Sequence, residues 1–296
     1  RPQMKLVTTT VELESQIAAA RAAGKKVAFV PTMGALHAGH LSLAKVAQSK
    51  AEFVVVSIFV NPLQFGAGED FDKYPRTLEA DTERLAEAGV DLVFAPTVEQ
   101  IYPTVASATD TSAPTSTSAS ATPTKDAGPV GEILEGAIRP GHFNGMLTVV
   151  ARLFDLVKPN FAIFGAKDAQ QLFLIKKMAA TDYPELQIIE APIVREPSGL
   201  AMSSRNRYLS THQLQLAETI SAALRIAKAT AVTPSSAIQS ATDAMAKAPE
   251  AKLDYIALVD KDTFEPIHDG FSGRALLLIA AAVGKTRLLD NIEISF

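Results

Sequence analysis

Apolar positions along this chain alternate between two grammars, short continuous runs and helical spacings, and their order predicts the architecture. Thr9 and Glu12 stand at capping-box spacing ahead of a helix ending near Gly24. Lys25 to Val30 reads as a buried strand, the segment through His37 and His40 as the turn into a second helix, and Phe53 to Val60 as a second buried strand. Strand, helix and strand form a right-handed parallel βαβ unit, with Pro31–His40 and Asn61–Gly66 beyond its carboxyl ends, where ligands settle in such sheets. Those two loops are expected to face one crevice. Thr77 is expected to cap a helix running to Gly89, and Asp91–Ala95 gives a third short strand. Farther on, the pattern predicts a helix over Gly145–Val157, a strand over Phe161–Phe164, a helix over Lys167–Met178 and a last parallel strand over Gln187–Ile193.

After about Val194 the pattern changes. Ser210 and Gln213 open an Ala/Leu-rich helix to Ala229, a second helix spans Ser235–Lys247, and strands follow at Leu253–Val259, Arg274–Val283 and Thr286–Leu289. The expectation is an α/β domain over 1–193 with a parallel sheet, and a smaller α+β domain over 194–296. Between them in character is 104–124, rich in Ser, Thr, Ala and Pro, which has too little apolar surface to order itself and is expected to be a flexible surface loop.

Composition narrows the function. With 296 residues and 47% apolar side chains the chain can bury a sizeable core. A net charge of −4 gives no general electrostatic case for nucleic acid or an anionic membrane as partner. The absence of cysteine excludes disulfides, thiol catalysis and Cys-ligated zinc. The longest apolar run, Ala275 to Val283, is too short to span a bilayer, and no signal-peptide pattern stands at the N-terminus, so a cytoplasmic protein is expected.

Four segments can carry chemistry. Pro31-Thr32-Met33-Gly34-Ala35-Leu36-His37-Ala38-Gly39-His40 puts two imidazoles three residues apart at a helix start, where unpaired N–H groups and the helix dipole favour an anion. A strand-to-helix turn with packed or solvated histidines has the same spelling. Asn61 and Gln64 offer neutral amides after a strand, able to serve hydroxyls and to donate to a carboxylate. Gly165-Ala166-Lys167-Asp168, followed by Gln171, places a cation, a carboxylate and an amide at a helix start, and Met202-Ser203-Ser204-Arg205 suits polyphosphate oxygens.

Taken in order, these segments, with Tyr74-Pro75-Arg76-Thr77, Arg139-Pro140-Gly141-His142-Phe143, Arg195-Glu196-Pro197 and Thr286-Arg287-Leu288-Leu289-Asp290-Asn291, closely resemble the pantothenate synthetase family over nearly the whole chain. The resemblance implies a Rossmann-like domain of the HxGH nucleotidyltransferase type, a C-terminal lid and a homodimer. It also implies ATP-dependent condensation of pantoate with β-alanine to pantothenate, AMP and pyrophosphate through a pantoyl adenylate. His40 and His37, with Lys167 and Arg205, are then the catalytic set, stabilising charge on the α-phosphate and the departing pyrophosphate. Pro31 to His40, Gly165 to Asp168, Val194 and Met202 to Arg205 match the ATP-contacting segments, with Asp168 on the ribose side. Gln64 and Gln171 match the pantoate-holding amides, with Asn61 and Met33 beside them. Magnesium is implied with ATP, mainly held by its phosphates, with Asp81 the candidate protein ligand.

The chain departs from the family pattern at Ala166 and Ala169, at Met146 and in the long connection after Tyr102. The alternative reading is another HxGH nucleotidyltransferase that releases only pyrophosphate; it gives Gln64 and Gln171 no purpose.

Overall fold

The computed structural model describes residues 3–104 and 121–296; most of the Ser/Thr-rich stretch expected as a loop over 104–124 lies outside the described residues. Two compact units divide the chain. The first comprises Arg1–Leu36, His40–Phe164 and Leu174–Ala191, the second His37–Gly39, Gly165–Phe173 and Pro192–Phe296.

The first unit is built on a sheet whose strands are β1 (Lys5–Val7), β2 (Val27–Thr32), β3 (Phe53–Ile58), β4 (Leu92–Phe94), β5 (Phe161–Gly165) and β6 (Gln187–Ala191). Their spatial order is β1-β4-β3-β2-β5-β6. The pairs β1/β4, β4/β3, β3/β2 and β2/β5 are all parallel. Both faces are covered, which is why the strands read as continuous apolar runs rather than alternating ones. On one face Ala28 and Val30 join Val54, Val56 and Ile163 with Ala44 and Ala47 of helix α2 (Ala38–Lys50) and Leu85 of α3 (Leu78–Glu87). On the other, Phe29 meets Phe154 edge to face at 6.5 Å between centroids.

Helix α1 (Thr10–Ala22) is capped as its spacing predicts, Thr9 accepting from the Glu12 amide. Two short helical turns, α4 (Val98–Ile101) and α5 (Glu135–Ile138), precede α6 (His142–Val157), which supplies Phe154. It begins three residues earlier than expected because Gly141, at φ 80°, turns the chain into it. Helix α7 (Ala169–Asp182) follows β5.

The strand order reverses beside β2: the chain runs outward through β3 and β4, then returns to its other side with β5. Such a switch point opens at the carboxyl ends of β2 and β5. β2 also runs farther than expected, through Pro31 and Thr32, which pair with Ser57 and Ile58. Proline is tolerated there for a geometric reason. Val27 engages both its backbone groups with Asn160 on the β5 side, so by alternation Pro31 also faces that side, past the last β2/β5 pair at Phe29 and Ala162.

The second unit carries an antiparallel sheet of β7 (Ala251–Asp260), β8 (Arg274–Val283) and β9 (Thr286–Ser295) under helices α8 (Thr211–Thr230) and α9 (Pro234–Ala246). Both helices begin with complete capping boxes, Ser210 with Gln213 and Thr233 with Ser236. Ile220, Leu224 and Met245 from the helices meet Leu277, Ile279 and Ala281 from the central strand.

Candidate active site

The segment after β2 is held from below by α3. Gly34 and Ala35 both take left-handed backbone angles, φ 80° and 52°, and their turn lays two consecutive amides against one carboxylate. The Ala35 N–H donates to Asp81 Oδ2 and the Leu36 N–H to Oδ1, each at 2.9 Å. Thr77 Oγ1 donates to Oδ1 as well, at 3.2 Å, instead of capping α3 as its position suggests. Arg84, one turn further along α3, donates to the Leu36 carbonyl at 2.6 Å. Asp81 is therefore 1% exposed with both oxygens engaged. This does not fit the magnesium ligand expected of it, since such a carboxylate must turn an oxygen toward the ion and its waters. Among the described residues no group of three or more His, Cys, Asp or Glu is placed to hold a metal ion. Nor are the Ala35 and Leu36 amides open to a phosphate, as a helix-start anion site would have them. His40 lies in the first turn of α2, which opens at Ala38.

The amide of Gln64 is oriented by a chain of hydrogen bonds whose direction is set at both ends. Asn61 caps the 3-10 turn Pro62–Gln64, its Oδ1 accepting from the Leu63 amide at 3.2 Å. Its Nδ2 donates to the Gly145 carbonyl at 3.0 Å. An amide N–H can only donate and a carbonyl only accept, so the Asn61 side chain has one possible orientation. Asn61 Nδ2 also donates to Gln64 Oε1 at 3.0 Å, which leaves the Gln64 NH2 as the group offered onward. Tyr102 donates its hydroxyl to Asn61 Oδ1 at 2.7 Å, and burial raises its pKa, so that the phenol stays a donor. Asn61, expected from the sequence beside the substrate amides, is 1% exposed with both ends of its amide engaged within the protein, and it orients Gln64.

Beneath the same turn lies a cation–imidazole–carboxylate cluster. His142 Nδ1 donates to the Gln64 carbonyl at 2.8 Å, and Arg139 Nη2 donates to it at 3.3 Å. Arg139 also binds Glu69 Oε1, at 2.6 Å. Burial, reinforced by the Arg139 charge, lowers the His142 pKa to about 4. Burial alone would raise Glu69, but the Arg139 hydrogen bond and charge outweigh it and hold the carboxyl below its usual range. Helix α6 approaches this turn so closely that a Cβ on Gly145 would lie 2.1 Å from the Leu63 oxygen.

The second unit gathers most of the residues expected to contact nucleotide: His37 to Gly39, Gly165, Ala166, Lys167, Asp168, Val194, Met202, Ser203, Ser204 and Arg205. His37 Nδ1 accepts the Gly39 N–H at 3.0 Å, which puts the proton of the neutral ring on Nε2. A Cβ on Gly39 would come within 2.6 Å of His37 Cε1 and 2.8 Å of its Nδ1, so any larger residue there would push the imidazole aside. Val194 and Met202 are joined through the Met202 N–H at 2.9 Å, closing a narrow hairpin that ends in the Ser203–Arg205 turn. There Ser203 Oγ accepts from the Arg205 amide. The backbone of Ala166 and Lys167 is held by Asn291, whose Nδ2 donates to both carbonyls, at 2.9 and 3.0 Å. Lys167 Nζ stands 3.5 Å from Asp168 Oδ1. Gln171 belongs to this unit and Gln64 to the first.

The family model for pantoate-beta-alanine ligase matches residues 5–293. The chain belongs to the pantoate–β-alanine ligase family. It is 49% identical over 284 residues to the pantothenate synthetase of Acidothermus cellulolyticus, covering 94% of this chain and 88% of that one. Identity with the Thermobifida fusca pantothenate synthetase is 45%, with 98% of this chain and 96% of that one covered. Among solved structures, the Thermus thermophilus pantothenate synthetase superposes with a TM-score of 0.89 at 42% identity, over 99% of this chain and 100% of that one. The Francisella tularensis pantoate-β-alanine ligase, solved with beta-gamma ATP and β-alanine, superposes with a TM-score of 0.74 at 36% identity over 98% and 97% of the two chains. The family assignment and the α/β architecture expected from the sequence therefore stand.

Several side chains around these family segments carry no purpose that the sequence alone reveals. Asp290 accepts a two-point bond from Arg195, at 2.6 and 2.8 Å, tying β9 to the strand that leads into Met202. Tyr102, Arg139, His142 and Asn291 are of the same kind. Arg139, His142, Arg195, Asp290 and Asn291 fall within motifs shared with the family, which is their only local signal; Tyr102 has none.

Proposed function

We propose that this chain joins pantoate to β-alanine in two steps, with ATP as co-substrate. A pantoate carboxylate oxygen attacks the α-phosphorus, the bond to the bridging oxygen breaks, and pyrophosphate leaves with that electron pair. The β-alanine amine then attacks the acyl carbon of the pantoyl adenylate, loses a proton, and AMP leaves as the carbon–oxygen bond breaks. His40 and His37 donate to the α-phosphate as charge builds, while Lys167 and Arg205, with Ser203 and Ser204, neutralise the pyrophosphate. Gly165, Ala166, Asp168, Val194 and Met202 line the nucleotide. Magnesium travels on the nucleotide phosphates rather than on Asp81. A cytoplasmic homodimer is the setting we propose; no helix among the described residues is long and apolar enough to cross a membrane.

The observation that carries the pantoate assignment is the fixed amide of Gln64. Its donating NH2 suits the carboxylate and hydroxyl oxygens of pantoate, with Gln171 and Met33 completing the acceptor side. The test is pantoate-dependent exchange of pyrophosphate into ATP, followed by AMP release on adding β-alanine. His40→Ala is expected to abolish the exchange. A variant that exchanges at nearly the wild-type rate refutes the role assigned to His40, and pyrophosphate release without AMP on adding β-alanine refutes the ligase reading in favour of a nucleotidyltransferase.

A further inference from the structure

We infer that Asp81 is a positioning residue for adenylation: an internal anion that shapes the turn leading into His37 and His40, and not a magnesium ligand. The inference rests on the reading that this segment carries the α-phosphate chemistry. Two successive amides of a left-handed turn converge on an anion, a geometry that proteins use elsewhere to hold phosphate. Here the anion is already built in. Each Asp81 oxygen takes one amide, at 2.9 Å, and Thr77 adds a hydroxyl.

Asp81 and Arg84 lie three residues apart and so share a face of α3, where Arg84 takes the Leu36 carbonyl. Together they grip both sides of the peptide chain just before His37. Ala35, a residue with a Cβ at φ 52°, needs such a grip, because its left-handed conformation is unfavourable when left to itself. The consequence is a turn whose shape owes nothing to bound nucleotide. Preformed donors gain their effect from being in place before charge develops, and a displacement of about 1 Å can cost a hundredfold in rate.

Asp81→Asn keeps the size but replaces one oxygen with an NH2 that must face an N–H. Amide hydrogen exchange of the peptide covering 33–40, measured in metal-free protein, is expected to accelerate at least tenfold. The kcat of pyrophosphate exchange should fall at least tenfold, with half-saturating pantoate and magnesium each within twofold of wild type. An unchanged kcat overturns the inference whatever the amides do, and so does a tenfold rise in the magnesium requirement, which is what a lost metal ligand would give. Unaltered amide protection overturns it too. If Asp81→Asn does not fold, Arg84→Gln, which keeps the carboxylate and cuts the Leu36 tether, takes its place: a lower kcat at unchanged magnesium requirement supports the inference, and a wild-type kcat overturns it. Wild-type protein without pantoate-dependent exchange refutes the functional reading, and the amide protection of the variants still decides whether Asp81 holds the turn.

Discussion

Replacing Gly145 by alanine sets two effects of opposite sign against each other. Gly145 lies inside α6, where the exchange should stabilise by roughly 1 kcal/mol through helix propensity alone. The new Cβ, however, would stand 2.1 Å from the Leu63 oxygen, 2.4 Å from its carbon and 2.9 Å from the Gln64 nitrogen. Carbon and carbonyl oxygen ordinarily approach to about 3.3 Å, so the Leu63–Gln64 peptide must retreat by about 1 Å. Overpacking of this kind costs about 1–3 kcal/mol, which cancels or exceeds the propensity gain. The retreat also pulls Asn61 from the Gly145 carbonyl and swings the Gln64 NH2 off its line. The expected result is a guanidinium unfolding midpoint at or below wild type and a pantoate KM raised about tenfold or more, with the ATP KM changed far less. A Gly145→Ala protein that is more stable by about 1 kcal/mol and binds pantoate normally would refute the assignment of Gln64 as a substrate amide aimed by Asn61.

His142 predicts the response of stability to acid. Its pKa is about 4 when folded, below the ordinary value of 6.5, so the folded state binds fewer protons, and the contribution is complete above pH 6.5 and lost as pH falls toward 4. At pH 5.5 the loss is on the order of 1 kcal/mol; denaturant titrations of wild type and His142→Gln should differ in slope against pH by this group, and parallel profiles would contradict the assignment. Asn291→Ala removes two donors from the Ala166 and Lys167 carbonyls, and should cost about 1–2 kcal/mol and raise the ATP KM about fivefold, measured by denaturation and initial rates. An unchanged ATP KM would separate Asn291 from the nucleotide.

The long apolar strands and capped helices are legible because their signals are local: Ser210 and Gln213 spell the start of α8, and β3 opens on four successive apolar residues, Phe53 to Val56. β1 escapes the pattern because it has three residues, of which only Val7 is buried, too few for any period. β9 reads as ending at Leu289 since Asp290, Asn291 and Glu293 look like a break, yet Asp290 and Asn291 are 5% exposed and satisfied by Arg195, Ala166 and Lys167. Partners that lie far away along the chain leave no trace in a local window. The same applies to Asp81, whose amide partners sit 45 and 46 positions upstream. Residue type alone marks it as a metal ligand; only the fold shows that its oxygens are occupied. The partners of Asn61 are hidden in the same way, since Gly145 and Tyr102 lie 84 and 41 positions away along the chain.

The way the second unit is assembled bears on how the chain can be divided. It takes His37–Gly39 and Gly165–Phe173 from within the stretch that otherwise builds the first unit, before claiming everything from Pro192. A cut at residue 192 therefore yields no pair of modules: the N-terminal piece keeps two segments without their partners, and the C-terminal piece lacks them. Recombination between relatives faces the same obstacle, since a C-terminal half exchanged as one block must meet a foreign His37–Gly39 and a foreign Lys167. The two units are thus interleaved along the sequence and do not follow one another as consecutive blocks.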